Sequence, residues 1–263
     1  MQTIQSAINS KGVLTLSMNR LEVHNAFDST MISELTRALK VAAEEDDIRV
    51  VVLTGLGSCF SAGADVNWMR RQVEASQEEN EQDAMKLARL MRTLNYLQKP
   101  TIARINGAAF GGGLGLVAAC DITIAVDSAM FGLTEVRLGL APAVISPYVF
   151  RRIGERNARR YFMTGERFDS RQALEIGLIQ QCVTEDKLDE TVETVTNQLL
   201  KGGPLAVTIC KQLAFAVAGH NKKTQKSTDE YTSGLIAGMR IMDEGQEGLA
   251  AFLEKRKPGW VED

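Results

Sequence analysis

Histidine is nearly absent from this chain of 263 residues, and the two present, His24 and His220, are too few for a histidine-rich metal site. The four cysteines, Cys59, Cys120, Cys182 and Cys210, are scattered without metal-ligand spacing and lie mostly among apolar residues. That pattern predicts reduced thiols in or near the core of a cytoplasmic protein. No apolar run approaches the ~20 residues needed to cross a bilayer. The opening MQTIQSAINSKG lacks the charged start and apolar centre of a secretory signal. A formal net charge of −3 offers no electrostatic footprint for nucleic acid. No low-complexity tract or strong repeat stands out. What remains, 44% hydrophobic and 24% charged residues, suits one or two soluble domains with a large core.

Residues 4–10 and 13–18 read as two strands joined at Lys11-Gly12, with Leu14, Leu16 and Met18 alternating. Residues 19–26 read as a polar loop, and 27–45 as a helix whose Met31, Ile32, Leu35, Leu39 and Ala42 keep helical spacing. Residues 50–53 are too short and too branched for a helix and predict a buried strand. Residues 72–82 are polar and acidic and look the least structured of the N-terminal half. Within them, Ser76 followed by Glu79 predicts a capping box that opens a helix to 98, with Ala84, Leu87, Met91 and Leu94 facing inward. Lys99-Pro100 stops it. Short strands are expected at 101–105, 122–126 and 130–131, and a strand or loop at 134–140. From Pro142 the chain turns mainly helical, with helices at 169–176, 185–200, 204–218, 223–242 and 245–254. The pattern predicts an α/β core over 1–200 and a helical region over 201–263.

The chain is organised around residues 100–122, PTIARINGAAFGGGLGLVAACDI. A short buried strand ends at the turn Asn106-Gly107, and Gly111, Gly112 and Gly113 then open an apolar, alanine-rich run that suits a buried helix. Glycines there let a bound group approach backbone N–H groups that have no partner inside the helix, at the positive end of its dipole. Tight packing of helix on strand, with no ligand, would use the same residues. A second small-residue loop, Ser61-Ala62-Gly63-Ala64 within SCFSAGADVNW, follows the strand at 50–53 and again exposes amides.

Together the two loops resemble the crotonase (enoyl-CoA hydratase/isomerase) superfamily, and the resemblance runs nearly end to end. It implies a crotonase-like spiral of ββα units, helices that pack against neighbouring subunits, and trimers or pairs of trimers. It implies an acyl-CoA thioester as substrate, with coenzyme A part of that substrate, no separate cofactor and no metal. The resemblance puts the two donors to the thioester oxygen on the backbone N–H groups of Ala64 and Gly112. Such donors stabilise the negative charge that acidifies the α-carbon and makes the β-carbon electrophilic. Glu135 then stands where hydratases of the family carry one of two catalytic glutamates. Set among apolar and neutral residues in FGLTEV, it would have a raised pKa suited to moving a proton near neutral pH. The second glutamate would fall at 115, where this chain has glycine.

A lone carboxylate suits double-bond isomerisation as well as hydration. The segment 137–166, RLGLAPAVISPYVFRRIGERNARRYFMTGE, looks more like bacterial hydratases of 3-methylglutaconyl-CoA or isohexenylglutaconyl-CoA. Those relatives, as the resemblance has it, tolerate glycine at the first carboxylate position. Such substrates carry a second carboxylate, for which Arg70-Arg71, Arg137, Arg151-Arg152, Ser146 and Tyr148 are candidates. For CoA, the resemblance points to the loop holding Arg20, His24 and Ala26, with Arg20 as phosphate contact. Ala62, Asp65 and Val66 would line the adenine side through main-chain atoms, and Phe252 and Lys255 would meet CoA from the closing motif. A non-catalytic scaffold or RNA-binding relative is the reading from another class, weakened by the slightly acidic charge and the presence of Glu135.

Overall fold

The computed structural model describes residues 3–262. β1 (Ile4–Ile8) pairs antiparallel with β2 (Val13–Met18), in which Leu16 and Met18 are fully buried. The polar turn and a short 3₁₀ segment, Leu21–Val23, lead to α1 (Ser29–Glu44), capped by the Asp28 carboxylate on the Met31 N–H. Its buried residues are the five the sequence predicts, Met31, Ile32, Leu35, Leu39 and Ala42. Each fully buried leucine or isoleucine among them contributes roughly 1.5–3 kcal/mol of transfer free energy.

The next elements come in pairs of strands. β3 (Val50–Gly55) and β4 (Cys59–Ser61) precede α2 (Val66–Glu74) and α3 (Gln77–Asn95). β5 (Thr101–Ile105) and β6 (Ala108–Phe110) precede α4 (Gly112–Ala119). β7 (Ile122–Val126) and β8 (Met130–Gly132) precede a 3₁₀ turn, Thr134–Leu138, and then α5 (Ser146–Thr164). After these come β9 (Arg167–Asp169), α6 (Ser170–Glu175) and β10 (Gln181–Val183). The first strand of each pair joins a six-stranded sheet, order β1-β2-β3-β5-β7-β10, and the second a four-stranded sheet, order β4-β6-β8-β9. This is the expected α/β spiral of ββα turns. Successive turns pair in parallel, so the central strands β2, β3, β5 and β7 are buried on both faces and need crossovers between them.

The chain closes with α7 (Leu188–Lys201), α8 (Pro204–Val217), α9 (Lys222–Ile241) and α10 (Asp243–Leu253). A second, smaller core joins Met69 of α2 and Ala84 and Ala88 of α3 to Leu140, Val144, Ile236 and Leu249. The last two helices therefore fold back over the chain's own α2, α3 and the segment after β8. α8 differs from them. It buries no residue, and Leu205, Ile209, Leu213 and Val217 form an exposed stripe at four-residue spacing. Among the described residues no helix is long and apolar enough to cross a membrane, and no cluster could hold a metal ion.

Several local expectations change. Residues 72–82 are not irregular: Gln72 lies buried in α2, and the capping box of Ser76 and Glu79 starts α3 at once. Residues 134–138 form a 3₁₀ turn, and Gly139, at φ 66°, ends it. All four cysteines are free, but Cys210 is exposed on α8, outside the core expected for it.

Candidate active site

The two small-residue loops meet. Gly63 and Gly111 both have positive φ, 95° and 48°, which glycine tolerates without strain. A β-carbon built on Gly111 would lie 3.8 Å from the Gly63 Cα, so the loops touch without side chains between them. Phe27 holds both. Its N–H donates to the Gly63 carbonyl at 2.7 Å and its carbonyl accepts from the Asp65 N–H at 2.8 Å, clamping the Ala64 peptide between them. Its buried ring packs on Gly112, where an added β-carbon would lie 3.1 Å from two ring atoms. Sequence reasoning assigned Phe27 only to the start of a helix.

Among the described residues the N–H groups of Ala64 and Gly112 have no acceptor. Gly112 opens α4, whose unpaired amides and dipole favour negative charge there. Both residues line a cavity of about 510 Å³, together with Ala62, Gly63, Gly111, Glu135 and Phe252. Two such unpaired donors in the lining of one cavity can hold an oxyanion where they converge.

Register places Glu135. Phe110 of β6 pairs with Gly132 of β8, and the Gly111 N–H donates to the Gly132 carbonyl at 3.1 Å. The 3₁₀ turn that follows brings Glu135 Oε1 to 3.2 Å from the position of a β-carbon on Gly111. The residue is half-buried as a whole, but Oε2 is fully shielded and has no hydrogen-bond partner. Burial pushes its pKa up to about 7, against a small opposing effect of its own backbone N–H. Both protonation states are then populated near neutrality, which suits a group that takes and returns a proton.

Where a second glutamate would stand, there is no room. A β-carbon on Gly115 would lie 2.3 Å from Ile145 Cγ2, 2.9 Å from its Cβ and 3.1 Å from Met91 Cε. Ile145 is buried and lines the cavity, so an isoleucine side chain fills that part of the wall.

The loop expected to thread CoA is tied internally. Arg20 donates to the Ala26 carbonyl at 2.6 Å and to Asp65 at 2.9 Å, with Asp28 at 3.5 Å. Asp65 also caps α2 through the Asn67 and Trp68 N–H groups. His24 is exposed in a left-handed conformation, and its carbonyl accepts from the Ala62 N–H at 2.9 Å. Val66 and Lys255 are exposed, and Ala26 is buried. Of these loop and terminal residues, Ala62 and Phe252 line the cavity, whereas Arg20, His24, Ala26, Asp65, Val66 and Lys255 lie outside it.

The polar residues suggested for the far end of the acyl group mostly lie elsewhere. Arg152 caps the end of α4 through the carbonyls of Ala118 and Cys120, Arg151 bonds Gln225, and Arg70 bonds Asn67. Arg71, Ser146 and Tyr148 also lie outside the cavity, so only Arg137 of that group lines it. Two buried residues from α2 and α9, Gln72 and Arg240, line it as well, and neither was legible as a pair in sequence.

The family model described as enoyl-CoA hydratase/isomerase matches residues 9–263. A solved structure from Legionella pneumophila, described as a candidate enoyl-CoA hydratase/isomerase (crotonase), is 47% identical over 99% of this chain and 100% of that one, with a TM-score of 0.80. An enoyl-CoA hydratase structure from Shewanella pealeana is 44% identical, covers 98% and 96% of the two chains, and has a TM-score of 0.80. The 2,3-dehydroadipyl-CoA hydratase of Escherichia coli is 30% identical over 94% of each chain.

Proposed function

The chain belongs to the enoyl-CoA hydratase/isomerase family, and from that premise we propose that it adds water across the double bond of a branched glutaconyl-CoA-type thioester, such as 3-methylglutaconyl-CoA or isohexenylglutaconyl-CoA. The observation that carries the reading is a carboxyl with one oxygen buried and unpartnered, in the same cavity lining as two unpaired amides.

The Ala64 and Gly112 N–H groups hold the thioester oxygen. The Glu135 carboxylate takes a proton from water as the water oxygen bonds to the β-carbon. The double-bond electrons move to the α-carbon, and the charge spreads onto the held oxygen. Glu135 then returns its proton to the α-carbon on the same face, so addition is syn and the carboxylate is regenerated. Each amide is worth on the order of 10²–10³ in rate. The apolar walls, with Trp68, Leu140 and Ile145 among them, keep bulk water from competing.

For the rest of the thioester, the exposed loop around His24 and Ala62 and the backbone at Asp65 and Val66 flank the CoA path, and Phe252 closes over it. Arg20 and Lys255 are the cations proposed for the CoA phosphates, Arg20 by exchanging its Asp65 pairing for a phosphate, and Ala26 contributes only main chain. The stripe on α8 is the subunit contact of a trimer or a dimer of trimers. The name of the Escherichia coli relative, a hydratase of a dehydroadipyl thioester, supports an acyl group with a distal carboxylate.

Incubation with 3-methylglutaconyl-CoA in heavy-oxygen water tests the reading. Enoyl-thioester absorbance falls and the product carries the label; an unchanged spectrum overturns it. Ile145 at the second carboxylate position favours one further reading, isomerisation by the lone Glu135. Side-by-side assay of 2-enoyl and 3-enoyl thioesters separates the two.

A further inference from the structure

We infer that Arg240 and Gln72, which line the same cavity as Glu135, bind the distal carboxylate of the substrate and so select dicarboxylic over simple enoyl thioesters. The inference rests on the reading above and adds the residues that choose the acyl group.

Arg240 on α9 is 8% exposed and Gln72 on α2 is 4% exposed, and both line the same cavity as Glu135. Buried guanidinium groups are ordinarily paired, because an uncompensated buried charge is costly. Arg240 is not paired. Its NH1 makes two long contacts, 3.4 Å and 3.3 Å, to the carbonyl and side-chain oxygens of Asn80. Nε is buried without a partner, and among the described residues NH2 makes no hydrogen bond. The Nε–NH2 edge is the side of a guanidinium that takes a carboxylate through two parallel hydrogen bonds.

The carboxylate whose field reaches Arg240 is otherwise engaged. Asp83 accepts from Trp68 Nε1 at 3.1 Å and from Lys86 Nζ at 2.8 Å. Burial lowers the Arg240 pKa to about 10, so it stays charged at neutral pH. Gln72 adds a second unsatisfied donor, because its Nε2 is buried with no partner. Two buried donors of this kind in the lining of one cavity fit an anion with several acceptor lone pairs.

Charge alone does not distinguish these residues from their neighbours. Arg137 and Arg167 also line the cavity, but both are exposed, and Arg167 lies over the Phe110 ring at 4.9 Å. Solvent screens them, whereas a desolvated guanidinium meets a carboxylate at far lower effective dielectric. A methyl group at the same place would leave Arg240 and Gln72 unsatisfied, and that penalty is the source of selectivity.

The test pairs two saturated, unreactive thioesters, glutaryl-CoA and pentanoyl-CoA, which differ only by a terminal carboxylate in place of a methyl group. Calorimetry on the wild type is expected to give about 10²-fold tighter binding of glutaryl-CoA. Arg240→Met abolishes that preference, and Gln72→Met reduces it about tenfold. Equal affinity of the wild type for the two ligands overturns the assignment, as does an unchanged preference in a folded Arg240→Met protein. If Arg240→Met fails to fold, Gln72→Met decides alone, and an unchanged preference there overturns the assignment. Should glutaryl-CoA be preferred while no enoyl thioester is hydrated, the carboxylate site stands and the hydratase reading falls. The reverse result, hydration without preference, removes the site and leaves the hydratase.

Discussion

Ile145 occupies the space that a side chain at position 115 would need: its Cγ2 lies 2.3 Å from a β-carbon built on Gly115. The single-carboxylate site is thus a packed arrangement, with a neighbour seated where the second acid would be. Gly115→Ala is expected to cost about 1–3 kcal/mol through overpacking, seen as a lowered midpoint in thermal or urea unfolding. Gly115→Glu is expected to lower stability further and not to raise hydration. A more active, equally stable Gly115→Glu protein would show that the wall yields easily.

Glu135→Gln removes the proton carrier while keeping its shape. Turnover on the best thioester should fall by roughly 10²–10⁴. Steady-state kinetics on protein of unchanged circular dichroism makes the comparison, and near-wild-type turnover would take Glu135 out of the mechanism.

The same residue makes stability depend on pH. Its folded pKa, raised by burial from 4.5 to about 7, means the folded protein holds a proton that the unfolded chain releases. Below 4.5 both states are protonated and the contribution to stability is fully present. Between 4.5 and about 7 it is lost, at up to about 1.4 kcal/mol per pH unit, and above that it is constant. Unfolding of wild type and Glu135→Gln across pH 4–8 should therefore show the variant gaining relative stability through that window. Hydration by the carboxylate form should rise over the same range.

Gly112→Val tests the amide pair. The new β-carbon would meet the Phe27 ring at 3.1 Å, so ring or helix start must shift. Loss of one donor's alignment predicts a fall in kcat of about 10²–10³ with smaller change in KM. Equal loss in binding of a saturated thioester would point instead to a collapsed pocket.

Leu213, at the middle of the exposed α8 stripe, offers a test of assembly. Leu213→Glu is expected to shift sedimentation from an oligomer to a smaller species, because a charge would enter an apolar contact. Identical sedimentation would place the subunit contact elsewhere.

What could be read from sequence was what depends on near neighbours. The inner face of α1, the capping box at Ser76 and Glu79 and the strand at Val50 are set by spacing of a few residues. α2 was not legible, because VNWMRRQVE is largely polar and buries only Trp68, Met69 and Gln72. Three-residue strands carry little pattern: β8 was expected at 130–131, but β4, β6, β9 and β10 were not. The amide loops and Glu135 were found through family pattern, and the parallel register of β6 and β8 is what brings them together. Ile145 against Gly115, and Arg240 in one cavity lining with Gln72, join positions far apart in the chain, and no local signal marks such pairs.

The cavity has two origins along the chain. Ala64, Gly112 and Glu135 come from successive turns of the spiral, while Ile236, Arg240, Leu249 and Phe252 come from α9 and α10. Under the proposed assignment, substrate choice is shared between Gln72 of α2, inside the spiral, and Arg240 of α9. Exchange of the terminal helices between relatives would then carry the Arg240 half of that preference onto an unaltered reaction centre and leave the Gln72 half behind, so new specificities can arise stepwise without rebuilding the catalyst.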